Sequence, residues 1–248
     1  STEAGKKIAE RAGRNIKKCV LELGGSDPFI VLDDVDVKQC AASAVQGRIV
    51  NSGQSCIAAK RFIVNEKIRK DFEKEFAEHM KSLKVGDPLD EATQVGPLAR
   101  KDILDALLEQ VDKSVKMGAE IAAGGNRQGK KGFFMQPTVV TNVTTKMPVF
   151  AEETFGPVAC VIGFENEEEA IRLANMSEYG LGASVWSKDV SKAERIAARI
   201  DAGAVFVNKV VASDPRVPFG GIKKSGYGRE LGRLGILEFM NAKSVVIQ

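Results

Sequence analysis

Cys56 is the residue of this sequence best placed for nucleophilic chemistry. It follows a small, polar, glycine-containing loop, residues 51–55 (NSGQS), and precedes Ile57 and two alanines. Small neighbours leave room for a substrate beside the sulfur, and backbone N–H groups in such a loop can stabilise a thiolate or an oxyanion. A buried structural thiol, a common environment for a free cysteine, is the alternative interpretation.

Glu22 is the second candidate because it stands near the end of an apolar run, residues 19–23 (CVLEL), directly before Gly24 and Gly25. A carboxylate at a strand end, beside glycines that open space, suits a general base held near a cleft. Partial burial of such a carboxylate raises its pKa toward neutrality. A strand-edge carboxylate in a salt bridge fits the same pattern, so the residues alone leave both interpretations open.

The other cysteines and the single histidine offer little further chemistry. Cys40 falls in a helical pattern, whereas Cys19 and Cys160 fall in strand patterns, so all three are predicted to be small core residues. No C-x-x-C pair occurs and His79, predicted to lie at the surface, is the only histidine, which argues against a zinc site. We therefore predict no metal, free thiols and a cytoplasmic location.

Composition narrows the class of protein further. The 248 residues include 44% hydrophobic and 28% charged side chains, which is typical of soluble globular proteins. The 36 basic residues are interspersed with 33 acidic ones, so no nucleic-acid-binding surface is predicted. No apolar run reaches the roughly 20 residues that a membrane-spanning helix needs. Residues 1–10 (STEAGKKIAE) lack the apolar centre of a secretory signal.

The elements that must position Cys56 and Glu22 alternate between strand and helix patterns. Strands are predicted at 19–23, 28–32, 61–64, 138–143, 158–164, 183–186, 204–208 and 244–247. Helices are predicted at 2–12, from Asp34 or Asp36 to about residue 50, and at 166–175, 190–200 and 229–240. Two more helices are indicated by apolar residues at every fourth position: Ile68, Phe72, Phe76 and Met80, then Ile103, Leu107, Val111 and Val115. This alternation predicts an α/β fold with a largely parallel sheet flanked by helices.

A glycine-rich segment near the end of the chain, residues 226–232 (GYGRELG), has a spacing similar to that of dinucleotide-binding loops. Such a loop follows a strand, so that the N-terminus of the next helix faces the pyrophosphate. Here the segment follows the polar run 223–225 (KKS). We therefore predict a packed, flexible loop rather than a nucleotide site.

Five motifs in order resemble the aldehyde dehydrogenase superfamily. They are residues 1–5 (STEAG), 22–25 (ELGG), 53–56 (GQSC), 152–157 (EETFGP) and 218–230 (PFGGIKKSGYGRE), and together they extend over nearly the whole chain. The resemblance implies a catalytic domain of aldehyde dehydrogenase-like fold at residues 23–230. It also implies a remnant of the dinucleotide-binding domain at 1–22, and a C-terminal helix and oligomerisation strand at 231–248.

The resemblance implies a role for each matching residue. Cys56 would attack the aldehyde as a thiolate to give a thiohemiacetal, with its own N–H holding the oxyanion. Glu22 would activate the water that hydrolyses the thioester formed after oxidation. The cofactor would be NAD or NADP, with Glu153 at the nicotinamide ribose and Phe155 near the ring. The further cofactor contacts implied are Ser1, Leu23 and Gly24.

Two runs, residues 21–31 (LELGGSDPFIV) and 210–231 (VVASDPRVPFGGIKKSGYGREL), most resemble the succinate-semialdehyde dehydrogenase branch. The resemblance places Ser213 where that branch contacts the distal carboxylate of its substrate. Some members of the branch have an arginine directly before the nucleophile loop, where this chain has Val50, so Arg48 or Arg216 would have to replace it. The predicted substrate is succinate semialdehyde or a related small aldehyde.

Members of this family are roughly twice as long as this chain, which begins within a helix pattern. The expectation is that these residues are the C-terminal, catalytic part of an enzyme, inactive alone, and joined into a dimer or tetramer through residues 244–247. Two other classes remain open: a cofactor-independent thiol esterase that uses Cys56 and Glu22, and a non-catalytic assembly domain. NAD(P)-dependent turnover, nucleotide-independent ester cleavage, or neither, would distinguish the three.

Overall fold

The helices and strands are described from a computed structural model that covers residues 1–248. The helices are α1 (Thr2–Arg14), α2 (Val37–Ile49), α3 (Arg69–Ser82), α4 (Lys101–Lys116), α5 (Pro148–Ala151), α6 (Glu167–Asn175), α7 (Val190–Ala197) and α8 (Gly232–Glu238), with a 3₁₀ helix at Val50–Gly53. The strands are β1 (Leu21–Glu22), β2 (Pro28–Val31), β3 (Arg61–Asn65), β4 (Glu120–Ala123), β5 (Thr138–Thr141), β6 (Val158–Phe164), β7 (Tyr179–Gly180), β8 (Gly182–Trp186), β9 (Ala204–Val207), β10 (Ile222–Lys223) and β11 (Gly226–Tyr227).

Seven strands form the central sheet in the order β4-β5-β6-β3-β2-β8-β9. Neighbouring strands pair in parallel except at one edge, where β4 runs antiparallel to β5. Two small antiparallel sheets, β1 with β11 and β10 with β7, lie outside it. The predicted α/β fold with a largely parallel, helix-flanked sheet is confirmed.

Alternating side chains of each central strand supply two apolar cores, one on each face of the sheet. In β2, Phe29 and Val31 pack with α2 and α3, whereas Ile30 packs on the opposite face with α4, α6 and α7. In β3, Phe62 and Ile63 divide between the same two cores. Successive strand residues point to opposite faces, so an apolar run covered on both sides is buried throughout.

Most predicted elements are confirmed to within a few residues, and strand β6 matches its predicted bounds. The Asp36 carboxylate caps α2 by accepting a hydrogen bond from the Gln39 N–H at 3.0 Å. The predicted apolar face of α4 is partly wrong, because Leu104 is buried while Val115 is exposed. Ile103, at the start of this helix, is only partly buried.

The predicted strand at residues 244–247 is wrong for this chain, since those residues have no regular secondary structure. Val245, Val246 and Ile247 are all exposed. A strand exists only where a neighbouring strand completes its hydrogen bonds, and no segment of this chain lies beside these residues. Helix α8 is also shorter than predicted, ending at Glu238.

The loop predicted at residues 226–232 is in part a strand. Gly226 pairs with Glu22 and Tyr227 with Leu21. This segment therefore forms the antiparallel partner strand of β1, although the two are far apart in the sequence. Gly226 has φ of +116°, and a Cβ there would clash with the Leu21 carbonyl oxygen. The glycine is therefore required by the close strand pairing, not by a nucleotide.

Cys40 and Cys160 are buried, as predicted, whereas the prediction for Cys19 is wrong. Cys19 precedes β1, is only partly buried, and its sulfur lies 2.9 Å from the Tyr227 hydroxyl. His79 lies on α3 and is partly buried. None of the helices combines the length and the apolar character that a membrane span requires.

Phe62 tests the core between the sheet and helices α2 and α3. Its side chain is fully buried, with ring centroids 5.2 Å from Phe29 and 4.6 Å from Phe76. We expect Phe62→Ala to lower the free energy of unfolding by about 3–5 kcal/mol, because it removes buried apolar surface and leaves a cavity. Urea unfolding followed by Trp186 fluorescence measures the change. Leu89→Ala, at a residue 90% exposed, is the control and should change the value by less than about 0.5 kcal/mol.

Candidate active site

The nucleophile loop, residues 51–58, connects helix α2 to strand β3. Asn51, Ser52 and Gly53 have φ of 50°, 56° and 76°, so three successive residues adopt left-handed conformations. A Cβ at Gly53 would clash with the Gly156 carbonyl, so glycine is needed where the loop passes the segment before β6. Left-handed backbone at non-glycine residues carries strain, which is frequent at functional sites.

Three segments that precede neighbouring parallel strands meet at one edge of the sheet. Residues 22–25 lead into β2, residues 55–58 into β3, and residues 153–156 into β6, and these strands are adjacent in the order β6-β3-β2. The site therefore lies at the amino-terminal edge of these strands. Ligands of open α/β sheets usually bind at the opposite, carboxyl-terminal edge.

Cys56 lines a cavity of about 590 Å³ at this edge. The cavity brings together the sequence-predicted residues Ser1, Glu22, Leu23, Gly24, Cys56, Glu153 and Phe155. It is also lined by residues that the sequence analysis missed: Gln54, Ser55, Arg100 and Ile103. Ile103 lines this cavity and also packs against the edge of the core, which accounts for its incomplete burial.

None of the substrate contacts suggested by the sequence outside the loop lines this cavity. Ser213 is exposed in the segment after β9 and does not line it. Arg216 is exposed and pairs with Asp214. Arg48 is fully buried, and its guanidinium donates to the carbonyls of Gly53 at 2.8 Å and Val158 at 3.3 Å. Arg48 thus links the nucleophile loop to β6 from inside the protein. The prediction that Arg48 replaces the substrate-binding arginine is therefore wrong.

Glu22 meets the requirements of a general base. Both of its carboxylate oxygens are shielded from solvent and lack a hydrogen-bond partner. Burial, with the negative charge of Glu230, raises the pKa of Glu22 to about 7, against the smaller effects of the Gly221 amide and Arg229. With this pKa, about half of the Glu22 carboxyl groups are ionised at neutral pH, and the ionised form readily accepts a proton.

The Cys56 thiol lies in a mixed electrostatic environment. Burial raises its pKa, and the negative charges of Asp27 and Glu22 act in the same direction. The positive charge of Lys60 and the Ile57 N–H act in the opposite direction by favouring the thiolate. Thiolate formation at neutral pH therefore depends on the groups that oppose burial.

Glu153 is fixed between the other two segments of the site. Its Oε1 accepts a hydrogen bond from the Gly25 N–H at 3.0 Å and lies 3.9 Å from the Lys60 ammonium. A Cβ on Gly24 would lie 2.5 Å from the other Glu153 oxygen, so this carboxylate packs against bare backbone. It remains on the cavity wall, where a carboxylate can accept hydrogen bonds from ribose hydroxyls.

The cavity also fits the nicotinamide end of a dinucleotide. Ser1 caps helix α1, with its hydroxyl accepting from the Ala4 N–H at 3.3 Å, and the N-terminus of this helix borders the cavity. Helix N-termini favour phosphate groups, and Phe155 supplies an apolar surface. No group of three or more His, Cys, Asp or Glu side chains is arranged to bind a metal ion.

A comparison with protein families identifies the class. The profile of the aldehyde dehydrogenase family matches residues 1–245. The chain therefore belongs to the aldehyde dehydrogenase family.

The chain is about half identical in sequence to individual succinate-semialdehyde dehydrogenases. A probable NADP⁺-dependent succinate-semialdehyde dehydrogenase of Synechocystis sp. is 49% identical over 247 residues, which are 100% of this chain and 54% of that protein. An NAD(P)⁺-dependent succinate semialdehyde dehydrogenase of Escherichia coli is 49% identical over 99% of this chain and 53% of that protein. The chain spans about half the length of the curated relatives it matches.

Solved structures show the same relationship. The structure of Gox0499, determined to explain its cofactor and substrate selection, matches with a TM-score of 0.96 and 47% identity, over 100% of this chain and 54% of that one. Betaine aldehyde dehydrogenase of Staphylococcus aureus in complex with NAD⁺ matches with a TM-score of 0.93 and 40% identity, over 96% of this chain and 48% of that one.

Differences in thiol reactivity test the assignment of Cys56. Burial raises the pKa of both Cys40 and Cys160 to about 12, whereas Cys56 borders the cavity. In a Cys19→Ser background, which removes the partly exposed competitor, we expect iodoacetamide to modify Cys56 first. Peptide mapping by mass spectrometry measures the order.

The control adds Cys56→Ser to the same background and should abolish the fast phase of modification. Modification of Cys40 or Cys160 before Cys56 in folded protein would contradict the assignment.

Proposed function

We propose that these residues form the catalytic part of an NAD(P)⁺-dependent dehydrogenase that oxidises a small aldehyde to a carboxylic acid. The single observation that carries the proposal is the meeting of Cys56, Glu22 and Glu153 in one cavity at the edge of the sheet. The relatives named as succinate-semialdehyde dehydrogenases support succinate semialdehyde, or a related small aldehyde, as substrate. Their names also favour NADP⁺.

The first step is attack of the Cys56 thiolate on the aldehyde carbon, which forms a carbon–sulfur bond and a thiohemiacetal oxyanion. The Cys56 N–H makes no hydrogen bond to another protein group, so it can donate to this oxyanion. Glu153 and Phe155, which line the cavity with Cys56, would hold the nicotinamide end of the cofactor. A bound nicotinamide supplies the acceptor for the hydride that leaves the thiohemiacetal carbon.

The second step is hydrolysis of the thioester left on Cys56. Glu22 removes a proton from water, which then attacks the thioester carbonyl, and the carbon–sulfur bond breaks to release the acid and the thiolate. The absence of a hydrogen-bond partner on either Glu22 oxygen supports this role. The two steps thus assign different atoms of one cavity to acylation and deacylation.

Assembly and location belong to the same proposal. The C-terminal segment presents exposed apolar side chains, including Phe239, Val246 and Ile247. We propose that residues 244–247 form a strand only beside a partner subunit, in a dimer or tetramer. A cytoplasmic location, and the inactivity of the 248 residues when expressed alone, remain predictions.

Glu22→Gln tests the assignment of the second step. In the full-length subunit, meaning the polypeptide encoded by the reading frame that contains these residues, we expect the first-turnover burst of NADPH to persist. Steady turnover should fall by about 10²–10⁴-fold, because general-base catalysis typically contributes that much. Because protonated Glu22 cannot accept a proton, wild-type steady turnover should fall as the pH drops below the Glu22 pKa of about 7.

Stopped-flow and steady-state absorbance of NADPH measure both phases. Glu152→Gln changes an exposed carboxylate outside the cavity and is the matched control, expected to keep both phases. Near-normal steady turnover in Glu22→Gln would contradict the assignment. Loss of the burst would also contradict it and would indicate that Glu22 activates Cys56 instead.

Arg100 tests the substrate assignment, because it is the one cationic side chain that lines the cavity. We propose that it contacts the distal carboxylate of succinate semialdehyde. We expect Arg100→Gln to lower kcat/KM for succinate semialdehyde by about 10-fold, the loss of one charge-assisted hydrogen bond, and to leave butanal unaffected. Equal losses for the charged and neutral aldehydes would contradict this contact.

A further inference from the structure

Lys60 is a fully buried lysine directly behind the nucleophile loop. Its ammonium donates three hydrogen bonds to main-chain oxygens of that loop: Ser55 at 3.1 Å, Cys56 at 2.9 Å and Ala58 at 3.0 Å. An ammonium has three N–H donors, so each of them is used on the loop.

The main chain of Lys60 is itself anchored in the sheet. Its N–H donates to the Asp27 carbonyl at 3.0 Å, and its carbonyl accepts from the Cys160 N–H at 3.2 Å. These contacts attach Lys60 to strands on both sides of β3. The ammonium is therefore a fixed point from which the nucleophile loop is held.

Peptide geometry converts these carbonyl contacts into the orientation of N–H groups. No peptide bond of the chain is cis, and in a trans peptide the C=O and the following N–H point in opposite directions. With the Ser55 carbonyl facing Lys60, the Cys56 N–H faces away from it. With the Cys56 carbonyl facing Lys60, the Ile57 N–H faces away as well, and it interacts with the Cys56 thiol.

Neither the Cys56 N–H nor the Ile57 N–H donates to another protein group. Both donors are thus available to the reacting atoms, and their direction is set by the contacts of the preceding carbonyls. Donors that are aimed before the reaction begins need no reorganisation when negative charge develops.

Charged groups from other segments of the site interact with the Lys60 ammonium. Glu153 Oε1 lies 3.9 Å from the ammonium, and Asp27 and Arg48 are the other charged groups that act on it. Burial, with the repulsion of Arg48, lowers the pKa of Lys60 to about 8, against the attraction of Asp27, Glu153 and the Cys56 thiolate. Lys60 is thus a cation that favours the Cys56 thiolate, and most of it is protonated at neutral pH.

We propose that Lys60 is a positioning residue for the reaction: by holding the Ser55 and Cys56 carbonyls, it aims the Cys56 and Ile57 N–H groups at the oxyanion and the thiolate. This inference rests on the proposed function, because it acts through Cys56. It adds a residue that touches neither substrate nor cofactor and yet determines the geometry and charge of the nucleophile.

Arg61 is a matched control in the next position of the chain. It is also fully buried, but it donates to carbonyls of Ser26 at 2.9 Å, Leu173 at 2.8 Å and Ala174 at 2.9 Å, outside the nucleophile loop. Lys60 precedes β3 whereas Arg61 is its first residue, and the two side chains contact different segments of the chain. Replacing either cation removes a buried charge and three or more donors, but only Lys60 touches the backbone of Cys56.

The experiment compares Lys60→Met, Lys60→Gln and Arg61→Met in the full-length subunit with a Cys19→Ser background. The two measurements are the pH profile of Cys56 alkylation by iodoacetamide and the rate of the first-turnover NADPH burst. We expect Lys60→Met to move the alkylation profile to higher pH and to slow the burst by about 10²-fold, as small misplacements of reacting groups do. Arg61→Met should leave both measurements within about 2-fold of the background, even where it lowers the melting temperature.

Lys60→Gln keeps N–H donors but removes the charge. It takes the place of Lys60→Met in the comparison with Arg61→Met if Lys60→Met does not fold. Its alkylation profile should shift as in Lys60→Met, while its burst should be slowed less. An unchanged profile and burst in both Lys60 variants, or equal losses in Lys60→Met and Arg61→Met, would overturn the proposal. A background protein without any NADPH burst would instead refute the proposed function, and the alkylation profiles would still decide the role of Lys60.

Discussion

The site depends on the close approach of three backbone segments at one edge of the sheet. A side chain at Gly25 would clash with the Cys56 carbonyl, and a side chain at Gly53 would clash with Gly156. Because these segments lead into the adjacent strands β2, β3 and β6, the spacing of the sheet fixes their separation. Any change that separates the strands also separates Cys56, Glu22 and Glu153.

Burial controls the chemistry of the site in two opposing ways. It raises the pKa of Glu22 to about 7, which suits a general base. The same burial raises the pKa of the Cys56 thiol, which disfavours the thiolate. Lys60 offsets this effect from within the protein, since its buried ammonium is held against the loop that carries Cys56. The fold thus places a buried cation against the backbone of Cys56, whereas the half-buried Arg229 only partly offsets the effect of burial on Glu22.

Local sequence patterns predicted most of the parallel strands and singled out Cys56 and Glu22, whereas Ser1, Leu23, Gly24, Glu153 and Phe155 were predicted only from the resemblance to aldehyde dehydrogenases. Strand β6 is a continuous apolar run, and Cys56 and Glu22 stand beside small residues. The missed features have other causes. β11 forms only because Gly226 meets Glu22, which is distant in sequence. The Lys60 ammonium contacts carbonyls of nearby residues, but every residue type has a main-chain carbonyl, so no sequence pattern reveals these contacts. Residues 244–247 have the composition of a strand but no neighbour in this chain to pair with.

We propose that Cys56 carries the acyl group and that Glu22 activates the water that removes it. The most direct test is mass spectrometry of the full-length Glu22→Gln subunit, quenched after one turnover with NADP⁺ and succinate semialdehyde. We expect a mass increase of one succinyl group on the peptide that contains Cys56, and no increase when NADP⁺ is omitted. NADPH formation with no acyl group on Cys56, or with the acyl group on another residue, would contradict it.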